Sequence, residues 1–175
     1  MLNSQCTQSW RIKTIFNTLY NPSDFITTPS QVLMHAIDIF THLPAFGRLI
    51  YLQLNEVTGE AMMDILHNSP ILNTLILQNG VSELNKDVLT SASVPQCFLF
   101  SLKVFQFKEF NVREHEVLMA KFVMENAAVL EEMNICSAFW LRYSDIDMEK
   151  VQKQILSFPK RSNSLIVQFS HVNGS

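Results

Sequence analysis

Apolar residues in this chain recur in one short phrase: an apolar position, two free positions, a second apolar, one free, a third. Leu49, Leu52 and Leu54 give the cleanest copy. Leu72, Leu75 and Leu77 follow, then Leu102, Phe105 and Phe107, then Leu130, Met133 and Ile135. Val167 and Phe169 end a weaker copy. The last two positions of each phrase are two apart, as a strand with one buried face requires. The middle positions lie 23 to 34 residues apart, which leaves room for a helix between strands. One stretch is nearly said twice. His67 to Leu77 matches Glu125 to Ile135 position by position: a helix end, Asn, small residues, then the apolar phrase. The 58-residue offset equals about two units of a solenoid built from roughly 20–45 residues per unit.

The phrase is the signature of leucine-rich repeats. It predicts an α/β fold: an open solenoid arc with parallel strands on the concave side and helices on the convex side. Helix starts can be named. Thr28-Pro29-Ser30-Gln31 has a capping threonine, proline at the first helical position and glutamine three residues after the cap. It opens a helix near 30–42, after a strand-like stretch at 11–16. A shorter helix over 59–68 carries Met62, Met63, Ile65 and Leu66. Asn111-x-x-Glu114 reads as a capping box for the longest helix, 112–126, whose polar face is Glu114, Lys121 and Glu125. Ser144-x-x-Asp147 opens a last helix over 146–157, stopped by Pro159. Residues 81–95 fit least well and read as a boundary.

Composition narrows the class. The chain has 175 residues, 47% hydrophobic and 17% charged, with thirteen Phe and only four Gly. Such a chain buries a dense core and is not disordered. The net charge is -3 with no run of Lys or Arg, so an electrostatic footprint for nucleic acid is missing. No stretch approaches ~18 consecutive apolar residues, so no membrane span is expected. The three cysteines, Cys6, Cys97 and Cys136, are odd in number and have no CxxC spacing. They read as reduced thiols of a cytoplasmic or nuclear protein.

Candidate chemistry is sparse. His35 and His42 are seven apart, where a metal pair on a helix needs three or four. Glu114-His115-Glu116 reads as a solvated first turn complementing the helix dipole. Asp145, Asp147 and Glu149 alternate like calcium ligands, but the glycine and the closing glutamate of such a loop are missing. No nucleophile elbow, phosphate loop or HExxH is present. No enzymatic role, metal or cofactor is expected.

The strand positions between the repeat residues are of more interest. If the repeat residues face inward, these face the opposite side in two rows. One row is Tyr51, Thr74, Val104, Glu132 and Ile166. The next is Gln53, Ile76, Gln106, Asn134 and Gln168. A solvated polar sheet face is one reading. A protein-binding surface is the other, favoured by exposure of Tyr51, Ile76, Val104 and Ile166, since apolar and aromatic residues anchor interfaces.

Val94-Pro95-Gln96-Cys97-Phe98, followed by Leu102-Lys103, resembles the opening of the FBD domain found after leucine-rich repeats in plant F-box proteins. Phe107-Lys108-Glu109-Phe110 is similar to the strand before that family's long helix. Phe122 to Met133 resembles its Leu-Glu-Asn-Ala-x-x-Leu-Glu-x-Met block, and Leu156 to Ser162 its closing segment. Upstream, Leu43-Pro44-Ala45-Phe46-Gly47-Arg48-Leu49 is similar to the turn that enters a repeat. The resemblance implies a leucine-rich-repeat-like region over 1–93 and an FBD domain over 94–171. It further implies a non-catalytic substrate-recognition role for ubiquitin ligation, with an unidentified target protein as partner. Family members usually begin with an F-box, which docks on the Skp-type adaptor of a cullin ligase. No F-box is read here, so the chain is expected to be the C-terminal part of such a protein. Adaptor and cullin would be partners only in a longer form that carries the F-box. A stand-alone binding module or scaffold with no ligase connection is the alternative. Neither nucleic acid nor membrane is expected as a partner. The 175-residue chain is accordingly expected not to bind purified Skp-type adaptor. Micromolar binding in a two-component assay would overturn that expectation.

Overall fold

Five strands among the described residues lie side by side in one parallel sheet, in the order in which the chain makes them. They are β1 (Tyr51–Leu54), β2 (Thr74–Leu77), β3 (Val104–Phe110), β4 (Glu132–Ser137) and β5 (Ile166–His171). The computed structural model describes residues 46–171 apart from 56, 85, 87, 88 and 90–92. The expected strand at 11–16 and helix at 30–42 lie outside them. Neighbouring parallel strands cannot be joined by a hairpin, so each connection must cross back along the sheet. Helices occupy the crossings: α1 (Gly59–His67), α2 (Gln96–Phe100), α3 (Glu114–Asn126) and α4 (Met148–Leu156). A 3-10 turn, Phe139–Tyr143, precedes α4. The sheet is open, and β2 pairs with β3 without a break across the expected domain boundary at 93 and 94. None of the helices among the described residues is long and apolar enough to cross a membrane.

The register follows the apolar phrase. Leu52 pairs with Leu75, Leu75 with Phe105, Phe105 with Met133, and Met133 with Val167. The first four have no exposed surface. Leu54, Leu77, Phe107 and Ile135 form a second buried column beside them, continued by the partly buried Phe169. Both columns share one core with Met62 and Leu66 of α1, Phe98 of α2, Met119 and Val123 of α3, and Ile155 of α4. One face of the sheet is therefore covered by helices.

The phenylalanines fill the middle of this core. The Phe105 and Phe107 rings meet edge to face at 4.9 Å, and Phe107 and Phe110 are tilted at 5.3 Å. Such pairs add about 0.5–1.5 kcal/mol beyond the area they bury. Phe110 breaks the alternation, three residues after Phe107. A register shift between Phe107 and Phe110 turns it inward, so that it pairs with Ser137 and is fully buried. An extra residue in one strand does this by re-aiming the side chains beyond it.

Two helix starts differ from the capping boxes read in the sequence. Val112 has a positive φ of 61°, so Asn111 cannot enter the helix directly, and α3 begins at Glu114 behind Arg113. Glu116, not Glu114, closes the start: its Oε2 accepts the N–H groups of Asn111 (2.8 Å) and Arg113 (3.1 Å). Glu116 is fully buried, which corrects the expectation of a solvated first turn at Glu114-His115-Glu116. Its second oxygen has no hydrogen-bond partner and occupies the space a Cβ would take on Gly80, whose φ is +79°. A residue with a side chain at position 80 would meet both the backbone strain and the carboxylate. At α4 the cap is Asp147, whose Oδ1 accepts the Lys150 N–H at 3.2 Å. Ser144 instead closes the preceding 3-10 turn, donating to the Leu141 carbonyl.

Two predictions follow from this packing. Phe105→Ala removes a ring from the centre of the column and should destabilise the fold by about 3–5 kcal/mol in urea unfolding. A loss below ~1 kcal/mol would contradict the buried stacking. The second concerns Glu116. Burial out of water pushes its pKa above the ordinary 4.5, offset in part by the Arg113 and Asn111 N–H groups and by His115. The folded state then holds this proton to higher pH than the unfolded chain. Stability from this group is greatest below 4.5 and falls as pH rises through the interval up to the folded pKa. Glu116→Gln cannot lose the proton, so the wild type should lose stability relative to the variant as pH rises from acid towards neutral. Parallel pH profiles of the urea midpoints would refute it.

Candidate functional site

The face of the sheet opposite the helices is built by the residues between the buried columns. Strand alternation sends them there, and the register lines them up. Tyr51, Thr74, Val104, Glu132 and Ile166 are successive pairing partners, as are Gln53, Ile76, Gln106, Asn134 and Gln168. Parallel strands are about 4.8 Å apart, so each row of five spans roughly 19 Å. All ten residues read as candidates from the sequence are thus brought onto one face, in the two rows expected.

Their exposure differs along the rows. Tyr51, Gln53, Glu132, Ile166 and Gln168 are exposed, while Thr74, Val104, Gln106 and Asn134 are half-buried. Ile76 is only 7% exposed, which corrects the expectation that it projects freely, and Val104 is less open than expected. Both lie in the interior of the sheet. Ile76 has Gln53 and Gln106 as its register partners on either side, and cross-strand neighbours of that length are within reach of a residue between them. The Gln53 Nε2 donates to Gln78 Oε1 at 3.0 Å, and the Tyr51 hydroxyl donates to Gln53 Oε1 at 3.3 Å. Amides donate and accept, so Gln53, Gln106, Asn134 and Gln168 could read peptide groups or polar side chains laid across the strands. Beside the first row, Lys103 and Glu131 form a 2.8 Å ion pair with both side chains about half exposed.

Among the described residues, no group of three or more His, Cys, Asp or Glu could hold a metal ion. Asp147 and Glu149 are engaged with Lys150 (3.4 Å) and Lys153 (3.3 Å). His35 and His42 lie outside the described residues. Ser137 Oγ lies within hydrogen-bond reach of His171 Nδ1, and of the Ser170 carbonyl at 3.3 Å. That hydroxyl belongs to a buried residue and ties the ends of β4 and β5 together. Cys97 is also internal. Burial pushes its thiol pKa up to about 11, and its Sγ contacts the Leu66 carbonyl at 3.7 Å.

Sequence reasoning missed one surface feature. The 3-10 turn after β4 carries Phe139, Trp140 and Tyr143, all exposed, with Ile146 exposed just beyond. The signal was available: three aromatic residues in a stretch of five, directly after a strand phrase and with no helical periodicity to bury them.

The two strand-row residues at the sheet edges can be tested against Ile76. Tyr51→Ala and Ile166→Ala should each change stability by no more than about 0.5 kcal/mol, as exposed positions do. Ile76→Ala should cost about 2 kcal/mol or more, because its side chain is packed. Thermal or urea unfolding of the three variants checks both halves, and equal effects would mean that the two rows are uniformly exposed or uniformly packed.

Comparison with known proteins places part of the chain. Residues 90–135 match the family model for the FBD domain. The F-box/FBD/LRR-repeat protein At3g14710 of Arabidopsis thaliana is 27% identical over 135 residues, covering 73% of this chain and 29% of that protein. The F-box/FBD/LRR-repeat protein At5g44980 of the same plant is 28% identical over 129 residues, covering 73% of this chain and 28% of that protein. The FBD-associated F-box protein At5g22730, also of Arabidopsis thaliana, is 29% identical over 130 residues, covering 71% of this chain and 27% of that protein. The chain therefore spans under a third of the length of these curated relatives. No solved structure matches it.

Proposed function

We propose that this chain, whose residues 90–135 form an FBD domain of the plant F-box/FBD/LRR-repeat kind, binds a protein target through the open face of its sheet. Joined to an F-box, it would supply the recognition half of a Skp–cullin ubiquitin ligase, in the cytoplasm or nucleus. The observation that carries the reading is the pair of in-register rows on the face that no helix among the described residues covers. On this reading the sheet bends into the arc of a leucine-rich repeat, with the rows on its concave side, where repeat arrays present extended binding surfaces. Tyr51 and Ile166 sit at the two ends of one row, and the amides lie along the other. The helix side offers ordinary solvated charge, such as Glu114 and the Lys121–Glu125 pair, and charged residues of this kind are depleted at interface cores. A stand-alone module would use the same face without the ligase. The F-box in the names of the relatives favours the ligase reading.

A photo-crosslinking amino acid placed at position 51, 166 or 121, followed by exposure to plant cell extract, tests the location. Discrete adducts are expected from 51 and 166 and none from 121. Once the adduct is identified, Tyr51→Ala or Ile166→Ala should weaken its binding about tenfold, or about 1.4 kcal/mol, while Glu114→Ala and Lys121→Ala should leave it unchanged. Adducts from 121 alone, or loss of binding only in the helix-side variants, would put the target on the other face. Co-purification of adaptor and cullin with an F-box fusion of this chain and its target tests the ligase connection.

A further inference from the structure

The turn that leads from α4 into β5 carries Lys160-Arg161, the one adjacent pair of cations in the sequence. Pro159, Lys160, Arg161, Asn163 and Ser164 are all exposed. Neither cation makes an ion pair among the described residues. Arg161 stands three residues before Ser164. The other described arginines, Arg48, Arg113 and Arg142, have Tyr51, Glu116 and Asp145 at that spacing. Only Arg161 among them is followed there by a serine or threonine.

Two hydroxyls sit in this turn, and they do different things. Ser162 is only 3% exposed, and its Oγ donates to the Leu130 carbonyl at 2.6 Å. A serine hydroxyl has one proton. In the 3.1 Å contact between the two hydroxyls, Ser164 therefore donates and Ser162 accepts. Ser164 Oγ accepts no hydrogen bond among the described residues, so its lone pairs are open to an electrophile. Two hydrogen bonds among the described residues tether the stretch 159–164 to the body of the fold. One is that of Ser162, and the other runs from the Arg161 N–H to the Met124 carbonyl at 2.9 Å. A segment tethered so lightly opens locally without unfolding the rest, as entry into another protein's cleft requires.

We propose that Ser164 is a phosphorylation site for a protein kinase that reads an arginine three residues before its acceptor. Such a kinase holds the guanidinium with carboxylates, which Arg meets in a two-pronged pair that Lys cannot form. Ser164 Oγ attacks the γ-phosphorus of ATP. The bond from that phosphorus to the β–γ bridging oxygen breaks, ADP leaves with the electron pair, and the hydroxyl proton passes to the catalytic aspartate of the kinase. The product carries about −1.5 to −2 of new charge at the foot of β5. Ile166, the end of the first strand row, is two residues on, at most about 7 Å along the chain, and its register partner is Glu132. Both lie within a Debye length of about 8 Å or little more. On the docking reading of the open face, from which this consequence follows, phosphorylation closes that corner to acidic partner segments.

The full 175-residue chain, incubated with ATP and calcium/calmodulin-dependent protein kinase II as a probe of this specificity, tests it. One phosphoryl group should be added, seen in the intact mass and mapped to Ser164 by peptide fragmentation. The chain expressed in plant cells should carry the same mark. Ser164→Ala should abolish incorporation, and Ser162→Ala should leave it. Arg161→Ala should lower kcat/KM of the kinase for this chain by about tenfold or more, as loss of a charge-assisted hydrogen bond does. Ser164→Ala and Arg161→Ala alter exposed side chains, so both variants should fold, with urea midpoints like that of the wild type. The proposal is overturned if no phosphate enters, if it enters at Ser162 or elsewhere instead, if it enters only in the urea-unfolded chain, or if Arg161→Ala is modified as fast as the wild type. No target protein takes part in this assay, so its failure is distinct from failure of the docking reading.

Discussion

The register of the parallel sheet is the constraint on which the rest of this structure depends. At three successive steps one carbonyl accepts two consecutive N–H groups of the next strand's entry. The Ile50 carbonyl takes those of Asn73 and Thr74, that of Asn73 takes Lys103 and Val104, and that of Lys103 takes Glu131 and Glu132. These bonds set where each strand begins relative to the last. A slip of one residue would turn Leu75, Phe105 and Met133 to water and bring Thr74, Val104 and Glu132 inside. Glu132 there would be a charge without water or partner, a cost of several kcal/mol. The hydrophobic columns and the entry bonds therefore demand the same alignment, and agreement between levels is what makes a sequence specify one fold.

Much of this was legible because strand periodicity is short and the inward residues are large. The phrase Leu-x-x-Leu-x-Leu named both columns and both rows by residue. Helix starts were less legible. A capping box is read from spacing, and Asn111-x-x-Glu114 has that spacing, but the positive φ at Val112 delays the helix and hands the role to Glu116. No local pattern in sequence announces that a backbone angle will be positive at a valine. Ile76 departs from the expected exposure for a different reason. Alternation gives the face a residue points to, whereas exposure on that face depends on how its neighbours drape, and the flanking glutamines are long enough to hide a central isoleucine. The Phe139–Tyr143 turn has neither the periodicity of an element nor the spacing of a catalytic motif, so nothing in its pattern marks it as a surface feature beyond its aromatic content.

The residues by which the FBD domain is recognised do structural work here. Pro95 stands at the start of α2, and Cys97 and Phe98 are buried, with Phe98 packed against Phe122 of α3 at 5.6 Å. Ala128 N–H returns to the Phe98 carbonyl at 2.9 Å. Ser101 Oγ reaches the Leu72 carbonyl at 2.9 Å, and Ser162 Oγ reaches that of Leu130 at 2.6 Å, so small hydroxyls fasten one unit to the one before. A motif made of buried caps and fasteners identifies the fold without identifying a target, because function resides in sites carried by a fold.

The two surfaces differ in the physics they can offer a partner. Amide rows exchange hydrogen bonds with water for hydrogen bonds with a ligand, and each exchange nets only about 0.5–1.5 kcal/mol. Such a face discriminates between partners by penalising groups it cannot pair. Exposed rings on a braced turn contribute burial of large apolar area, which is where interface free energy concentrates. The two also lie close along the chain. Asn134 belongs to the amide row and Phe139 follows it by five residues, at most about 17 Å even if fully extended. A standard interface of about 800 Å² per partner is wide enough to include both. The same sheet sets the aromatic turn beyond the C-terminal ends of β3 and β4, where Trp140 reaches Asn111, as β4 length fixes where the strand stops and the turn begins.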